Sequence, residues 1–289
     1  MTDEFSRFHP LVNLIFYVEV LGLTMFQMQA VMIGISLVCA GGYHLYLKRT
    51  EGIKYFLPVL FVFLASAVIN PMFSHRGATL LFYLFTGNPV TLESILYGIA
   101  SATIICSVIL WFSTFNLIMT TDKVLAGIGV IMPHVATFLT MVFRFVPKFL
   151  RQGKSVMQAN KALGSSTKGW RNKIKFQMEV FSITTTWALE NSVDTADSMR
   201  ARGYGTGRRT SYNNYHFEKR DVAAILWMVI LFIFVCAEIA MGRAVTYYYP
   251  IIRIKGHWLV YITYFLLCTT PIIINLWEAA RWHRLKSKI

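Results

Sequence analysis

Apolar residues along this chain are bunched into runs close to the roughly 20 residues that a helix needs to cross the hydrocarbon core of a bilayer. The first run, residues 11–47, is too long for one helix, and its least apolar point at Gln27 to Gln29 predicts a hairpin of two spans. Four further runs cover residues 55–73, 92–119, 222–241 and 258–277. Between them, Asn70-Pro71, His75-Arg76-Gly77 and Gly87-Asn88-Pro89 are turn signals that predict an irregular connection over residues 70–92. The pattern predicts an all-α, polytopic membrane protein with about six transmembrane helices.

The composition agrees with this class. Hydrophobic residues make up 55 % of the chain and charged residues 15 %, against about 25 % charged in soluble domains. All four cysteines lie inside apolar runs without metal-site or CxxC spacing, so we expect them to be small core side chains. The apolar residues that begin at Leu11 continue past Gln29 without the small-residue cleavage site that ends a signal peptide. We therefore expect the first helix to be an uncleaved span.

The positive charge of the chain is strongly localised. The net charge is +14, and residues 123–178 contain no Asp or Glu, although many Lys and Arg occur there. Basic loops stay on the cytoplasmic side, so we expect this module, the basic tail and both termini to be cytoplasmic. Because apolar runs flank the basic module, we do not expect it to bind nucleic acid. The basic side chains are better suited to attracting anionic lipid headgroups, which stabilises membrane binding by about 1 kcal/mol per basic residue near the surface.

The apolar segment 124–146 is long enough to cross the membrane, but a crossing there would conflict with a cytoplasmic basic module. If it crossed the membrane, the basic module would lie outside, and it also carries Pro133, His134, Arg144 and, directly after it, Pro147. We predict that it lies in or along the membrane, with a seventh crossing open if an early run is re-entrant. The predicted organisation is therefore N-terminal transmembrane helices at 1–121, a basic cytoplasmic coupling module at 122–220, and a C-terminal transmembrane hairpin with a basic tail at 221–289.

Two long helices are predicted inside the basic module. The first covers residues 146–162 and ends at Leu163-Gly164, and the second covers residues 170–202 and ends at Gly203. Both glycines stand where a helix favours a C′ glycine. In the second helix Phe181, Leu189 and Val193 keep a helical spacing opposite an acidic side.

The sequence contains no convincing catalytic or cofactor-binding motif. Gly153-Lys154-Ser155 lacks the earlier glycine of a phosphate-binding loop, and no zinc-protease or serine-nucleophile pattern occurs. We therefore predict no catalytic residue, no cofactor and no metal site, although an integral membrane enzyme or processing protein with its site on the basic module stays an alternative. Ala201-Arg202-Gly203 combines a guanidinium with small neighbours and suits docking to a carboxylate. Spacing alone favours a simpler reading, in which Arg202 complements the helix dipole and Gly203 caps the helix.

Several stretches are similar to a known family. Residues 199–210, Met-Arg-Ala-Arg-Gly-Tyr-Gly-Thr-Gly-Arg-Arg-Thr, resemble the signature of the transmembrane T component of energy-coupling factor (ECF) transporters, the EcfT/CbiQ family. Further similar stretches, in family order, are Phe8-His9-Pro10-Leu11-Val12, Ile69-Asn70-Pro71-Met72-Phe73 with His75-Arg76-Gly77, Thr91-Leu92-Glu93 with Tyr97-Gly98, and Arg144-Phe145-Val146-Pro147. The similarity covers nearly the whole chain.

The resemblance implies a non-catalytic importer subunit in the plasma membrane of a bacterium. Such a subunit holds a substrate-binding S subunit for a vitamin or transition metal in the membrane, and rests on two cytoplasmic ABC-type ATPase subunits. Ala-Arg-Gly motifs end its two coupling helices, so Ala201, Arg202 and Gly203 correspond to the second motif.

The first motif departs from the family pattern. It corresponds to Ala162, Leu163 and Gly164, with leucine in place of arginine. Lys161 could supply a charge but lacks the planar fork of a guanidinium. Docking at this end is therefore expected to be weaker or more hydrophobic, unless Arg151-Gln152-Gly153 is the true register.

Overall fold

The computed structural model describes residues 3–48, 50–74, 77–83, 89–163, 169–206, 215 and 217–286. Within these residues the helices are α1 (Pro10–Phe26), α2 (Ala30–Lys48), α3 (Thr50–Phe73), α4 (Leu92–Ile118), α5 (Thr121–Ile131), α6 (Pro133–Ala162), α7 (Trp170–Ala201), α8 (Lys219–Ala240) and α9 (Trp258–Lys286). Two short antiparallel hairpins join helices: β1 (Leu80–Tyr83) with β2 (Pro89–Thr91), and β3 (Ala244–Tyr247) with β4 (Arg253–Gly256). The fold is all-α apart from these hairpins.

The chain divides into two compact units. The first, called the membrane unit here, comprises Met1–Val124 with Tyr215–Ile289, and the second, the coupling unit, comprises Leu125–Asn214.

Among the described residues, the membrane unit contains five helices that are long and apolar enough to cross a bilayer. They are α2, the Gly52–Phe73 part of α3, α4, α8 and the Trp258–Arg281 part of α9. With 17 residues, α1 is apolar but stands at the short end of the range for a span. The break between α1 and α2 falls at residues 27–29, so the predicted hairpin is confirmed. These helices define a polytopic membrane protein and agree with the prediction of about six spans.

The connection after α3 differs from the prediction. Asn70-Pro71 is not a turn, because α3 continues through it to Phe73. Pro71 removes one backbone donor, but the ladder resumes at once, with Ser74 N donating to Asn70 O at 2.9 Å. The β1–β2 hairpin then leads into α4, whose first turn is capped by the Thr91 hydroxyl accepting from Ser94 N at 3.3 Å.

The core of the membrane unit is aromatic and lies where α1, α2, α4 and α9 meet. Trp111 on α4 is fully buried, and its ring contacts Phe16 and Tyr17 of α1 edge-on, with centroids 5.7 and 6.3 Å apart. Edge-to-face pairs of this kind add roughly 0.5–1.5 kcal/mol beyond their area burial. The outer faces of the same helices carry many exposed Leu, Ile, Val and Phe side chains, as expected where lipid is the solvent.

A buried hydrogen-bonded network ties four helices together inside this core. Ser36 Oγ accepts from Trp111 Nε1 at 3.0 Å and lies 2.9 Å from Thr24 Oγ1. Thr24 Oγ1 in turn lies 3.0 Å from the hydroxyl of Tyr264. The network joins α1, α2, α4 and α9 through polar groups that lipid could not satisfy, so it helps to set their register.

The N-terminal residues are held against the membrane unit. Asn275 Oδ1 on α9 accepts from the backbone nitrogens of Glu4 and Phe5 at 2.8 and 3.2 Å. The buried Lys123 Nζ donates to Ser6 Oγ at 2.7 Å, and burial lowers the pKa of this ammonium. These bonds place Glu4 beside the end of α9.

In the coupling unit a helix break follows α5, and α6 is longer than the helix predicted there. The chain breaks between α5 and α6 at Met132, and Pro133 is the first residue of α6. Pro147, by contrast, lies inside α6, so the predicted start near Val146 is wrong and the helix begins at Pro133. Neither α5 nor α6 is among the candidate spans of the described chain, and the in-plane placement of residues 124–146 stays a prediction.

Candidate functional site

The end of α7 is a rigid glycine cap. Gly203 adopts φ +78°, its N–H donates to Arg200 O at 2.9 Å, and Tyr204 N donates to Met199 O at 3.0 Å. This pair of bonds is the Schellman motif, which satisfies the last carbonyls of the helix. A left-handed conformation costs other residues roughly 1–2 kcal/mol, which explains a glycine here. The predicted C′ position of Gly203 is confirmed.

Arg202 occupies the C-cap position between Ala201 and Gly203. All three residues are exposed, and no described residue forms an ion pair with the guanidinium of Arg202. Arg200, one place before the small Ala201, lies 4.0 Å from Asp197, with both side chains more than two-thirds exposed. Surface pairs of this kind contribute little. Among the residues that the structure describes, the guanidinium of Arg202 has no ionic partner at the tip of α7, and its neighbours on both sides are small.

The end of α6 presents an apolar tip. Leu163 is the C-cap, donates its N–H to Ala159 O at 3.1 Å and is 83 % exposed. Lys161 and Ala162 are exposed beside it, while Gly164 lies outside the described residues. The leucine side chain is therefore open to solvent at the end of this helix.

Contacts between α6 and α7 show that the two helices are antiparallel. Lys148 Nζ donates to Asn191 Oδ1 at 2.6 Å, and the rings of Phe149 and Trp187 meet edge-on at 5.8 Å. A Cβ on Gly153 would lie 3.7 Å from Thr184 Oγ1. Residue numbers increase along α6 in the direction in which they decrease along α7, so the two helices run antiparallel.

The antiparallel arrangement separates the two candidate tips. Ala162 is nine residues beyond Gly153, and Ala201 is ten beyond Asn191, so each tip lies roughly 15 Å from the nearest of these three contacts at about 1.5 Å per residue. They extend in opposite directions along the pair. The structure therefore does not bring Leu163 and Arg202 into one site; they are two separate contact points.

The apolar spacing in α7 marks an outer face and not the packed one. Phe181, Leu189 and Val193 are 73, 66 and 60 % exposed. The face toward α6 carries Phe176, Val180, Thr184, Trp187 and Asn191, with Phe176 and Val180 buried. The sequence pattern does not identify this face as exposed, because apolar residues on two sides of a helix give no single apolar stripe.

Comparisons with known proteins agree with the class that the helices define. No family model matches the chain. It is similar to two proteins named energy-coupling factor transporter transmembrane protein EcfT. One, from Leuconostoc gelidum subsp. gasicomitatum, is 31 % identical over 114 residues, 37 % of this chain and 42 % of that protein. The other, from Listeria innocua serovar 6a, is 26 % identical over 212 residues, 65 % of this chain and 78 % of that protein.

These similarities confirm the resemblance to the EcfT/CbiQ family that the sequence motifs indicated. The chain spans less than half the length of the Leuconostoc protein and more than three-quarters of the Listeria protein.

Proposed function

We propose that this chain is the transmembrane coupling subunit of an ECF-type importer. It holds a membrane-embedded, substrate-binding S subunit and docks on two cytoplasmic ABC-type ATPase subunits. The observation that carries the proposal is the antiparallel α6–α7 pair, which presents two separate tips at its opposite ends. Two distant contact points suit two partner molecules.

The tip of α7 is the stronger docking element. The planar guanidinium of Arg202 suits bidentate recognition of a carboxylate, and the small side chains of Ala201 and Gly203 allow a partner surface to approach closely. The Schellman motif fixes the turn behind it. A force applied to Arg202 would therefore move α7 as a rod of 32 residues, roughly 48 Å long.

The tip of α6 docks by apolar contact. Leu163 replaces the guanidinium of the first motif, and full burial of a leucine contributes about 1.5–3 kcal/mol. The two ATPase contacts therefore differ in chemistry, with the Arg202 contact dependent on salt and the Leu163 contact much less so.

The proposed role implies the orientation of the chain in the membrane and the subunit that binds the transported substrate. The basic coupling unit and both termini face the cytoplasm of a bacterium, where the ATPases are. The vitamin or transition-metal ion binds to the S subunit, and ATP hydrolysis belongs to the ATPases, so the chain itself has no catalytic residue and no cofactor.

The test is charge reversal at the α7 tip. Arg202→Glu should leave folding intact, because surface changes without partners alter stability by about 0.5 kcal/mol or less. It should weaken ATPase binding by about 2–5 kcal/mol, which is roughly a thirtyfold to several-thousandfold rise in Kd. Co-purification of the complex and uptake in cells are the measurements.

Arg200→Glu is the matched control. It reverses the same charge two residues away, on a side chain that is 82 % exposed and already near Asp197. It should retain ATPase binding within a few-fold. If Arg202→Glu assembles with both ATPases and transports normally, or if both variants fail equally, the docking role of Arg202 is wrong.

A further inference from the structure

A groove lies between the first turns of α8 and the last turns of α9 in the membrane unit. Its volume is about 460 Å³, within the range of small-molecule sites. Its apolar walls are formed by Ala223, Ala224 and Trp227 of α8 and by Thr270, Ile273 and Ile274 of α9. The hydroxyl of Thr270 donates to Leu266 O at 2.9 Å, so this side chain turns no unsatisfied donor toward the groove. The interior is suited to a hydrocarbon chain.

The position of the groove in the helices fixes its depth in the bilayer. Arg220 is the second residue of the α8 span, and Arg281 is the last residue of the α9 span. Both therefore stand at the same end of two candidate spans, where headgroups are expected. The alanines and isoleucines lie one to two turns further along, which is roughly 5–12 Å into the hydrocarbon region. Trp277 is one turn from Arg281, as interfacial aromatic residues are, and Trp227 lies about as deep as the isoleucines.

The mouth of the groove carries both signs of charge. Two guanidiniums, Arg220 and Arg281, stand with two carboxylates, Glu4 and Glu278. Arg220 pairs with Glu218 at 2.9 Å, outside the groove lining. Glu278 and Arg281 are one turn apart, yet they form no ion pair with each other or with any other side chain that the structure describes, which excludes those after Arg281. Arg281 lies over the ring of Trp277 at 5.8 Å.

A carboxylate and a guanidinium with no ion-pair partner among the described side chains, beside an apolar slot, select a ligand with complementary parts. Glu4 is already paired with Arg7 at 2.9 Å, so Glu278 is the carboxylate to be matched. The ligand needs a hydrocarbon chain for the slot, an anionic group for Arg281 and Arg220, and a cation for Glu278. A purely anionic headgroup would leave Glu278 facing like charge, which is unfavourable near a membrane. A cation with N–H donors gains a charge-assisted hydrogen bond that a quaternary ammonium cannot form.

We propose that this groove binds a zwitterionic glycerophospholipid with a primary ammonium, that is, a phosphatidylethanolamine. One acyl chain lies between α8 and α9, the phosphate contacts Arg281 and Arg220, and the ammonium contacts Glu278. The proposal concerns the membrane unit alone and does not depend on the docking role of Arg202.

The experiment uses the purified full chain and native mass spectrometry. The chain is delipidated in mild detergent and supplied with equal amounts of phosphatidylethanolamine, phosphatidylglycerol and phosphatidylcholine with identical acyl chains. Phosphatidylethanolamine should be retained roughly tenfold over the other two, the effect of one charge-assisted hydrogen bond. Water-soluble phosphoethanolamine should not displace it, because the apolar slot contributes to binding only when an acyl chain is present.

Two conservative variants separate the parts of the site. Glu278→Gln should remove the preference for phosphatidylethanolamine over phosphatidylcholine while leaving phospholipid bound. Arg281→Gln should weaken all three phospholipids by roughly tenfold. Lys255→Gln, an exposed charge on β4 between the other ends of α8 and α9, is the control and should change nothing.

A photo-crosslinking residue at position 227 locates the bound molecule. It should capture phosphatidylethanolamine. Capture of another protein or of this chain's own segments would overturn the proposal. Equal or tighter binding of phosphatidylglycerol or phosphatidylcholine would also overturn it, as would a preference that survives Glu278→Gln.

Discussion

Ser36 is the centre of the buried network in the membrane unit, and its substitution by alanine tests how much that network contributes. Ser36 is fully buried on α2, and its Oγ bonds to Trp111 Nε1 of α4 and Thr24 Oγ1 of α1. Alanine removes one oxygen without adding volume, so the backbone need not move. The change therefore isolates two interhelical hydrogen bonds.

The expected cost follows from the surroundings of the three groups. Interhelical hydrogen bonds in membranes average about 0.6 kcal/mol, with a maximum near 1.7. Removing Ser36 Oγ also leaves the Trp111 N–H buried without a partner, and such a group costs about 1–3 kcal/mol. Thr24 keeps its bonds to Val20 O and to Tyr264, so its hydroxyl stays satisfied. We expect Ser36→Ala to lower the free energy of unfolding by about 1–3 kcal/mol.

Unfolding of the purified chain in mixed micelles, followed by tryptophan fluorescence, gives the measurement. Ser107→Ala is the control, because Ser107 is equally buried but donates only to Ile104 O of its own helix, at 2.8 Å. Its loss should be near neutral, since a hydroxyl that bonds back to its own helix stabilises it little. Trp111→Phe completes a double-mutant cycle with Ser36→Ala, with an expected coupling energy of about 0.6–1.7 kcal/mol.

The reasoning is refuted if Ser36→Ala is no more destabilising than Ser107→Ala. A coupling energy of zero within error would be equally decisive. It would mean that Trp111 stabilises the unit through its ring contacts and not through its N–H.

Three further predictions concern a cap, a close helix contact and the α6 tip. His9 caps α1 through its neutral ring nitrogen, and burial lowers its pKa. This stabilisation is present above the unfolded value of 6.5 and is lost as pH falls through the lower folded pKa. His9→Ala should therefore cost about 0.5–2 kcal/mol at pH 7.5 and progressively less as the pH is lowered below 6.5, measured by thermal unfolding. A Cβ on Gly98 would lie 3.0 Å from the carbonyl oxygen of Ala67, so Gly98→Ala should destabilise the α3–α4 contact by about 1–3 kcal/mol in mixed-micelle unfolding. Gly42→Ala, with open space around it, is the control and should be neutral or stabilising. Leu163→Arg should tighten ATPase binding at the α6 tip and make it more salt-dependent, measured by co-purification at two salt concentrations; unchanged affinity would count against docking there.

Much of the membrane unit follows directly from the order of residues. Inside a bilayer a helix satisfies all its own backbone groups, so a run of about 20 apolar residues predicts a span without reference to the rest of the fold. The polar break at residues 27–29 separated α1 from α2 as predicted, and Gly203 ends α7 because a left-handed C′ position favours glycine locally. These features depend on neighbours in sequence.

Other features could not be predicted because they depend on distant residues. A helix was expected to begin near Val146, yet α6 begins at Pro133 and contains Pro147, since the helix tolerates one missing bond when the rest of its length is regular. The packed face of α7 carries Phe176 and Val180, while the more obvious apolar spacing at Phe181 and Leu189 lies outside. Periodicity predicts that a helix has an apolar side, but it does not say which side meets a partner.

The sequence by itself determined the class of the protein, the approximate positions of its spans and the guanidinium and glycine at the end of α7. Only the tertiary structure decided that the two tips are separated by antiparallel packing and that residues near 224 and 273 form a groove with Glu278 and Arg281 at its mouth. The physical reason is the range of the interactions. Hydrophobic runs and helix caps act within one or two turns of the chain, whereas grooves and helix pairings arise from the packing of segments that are far apart in sequence.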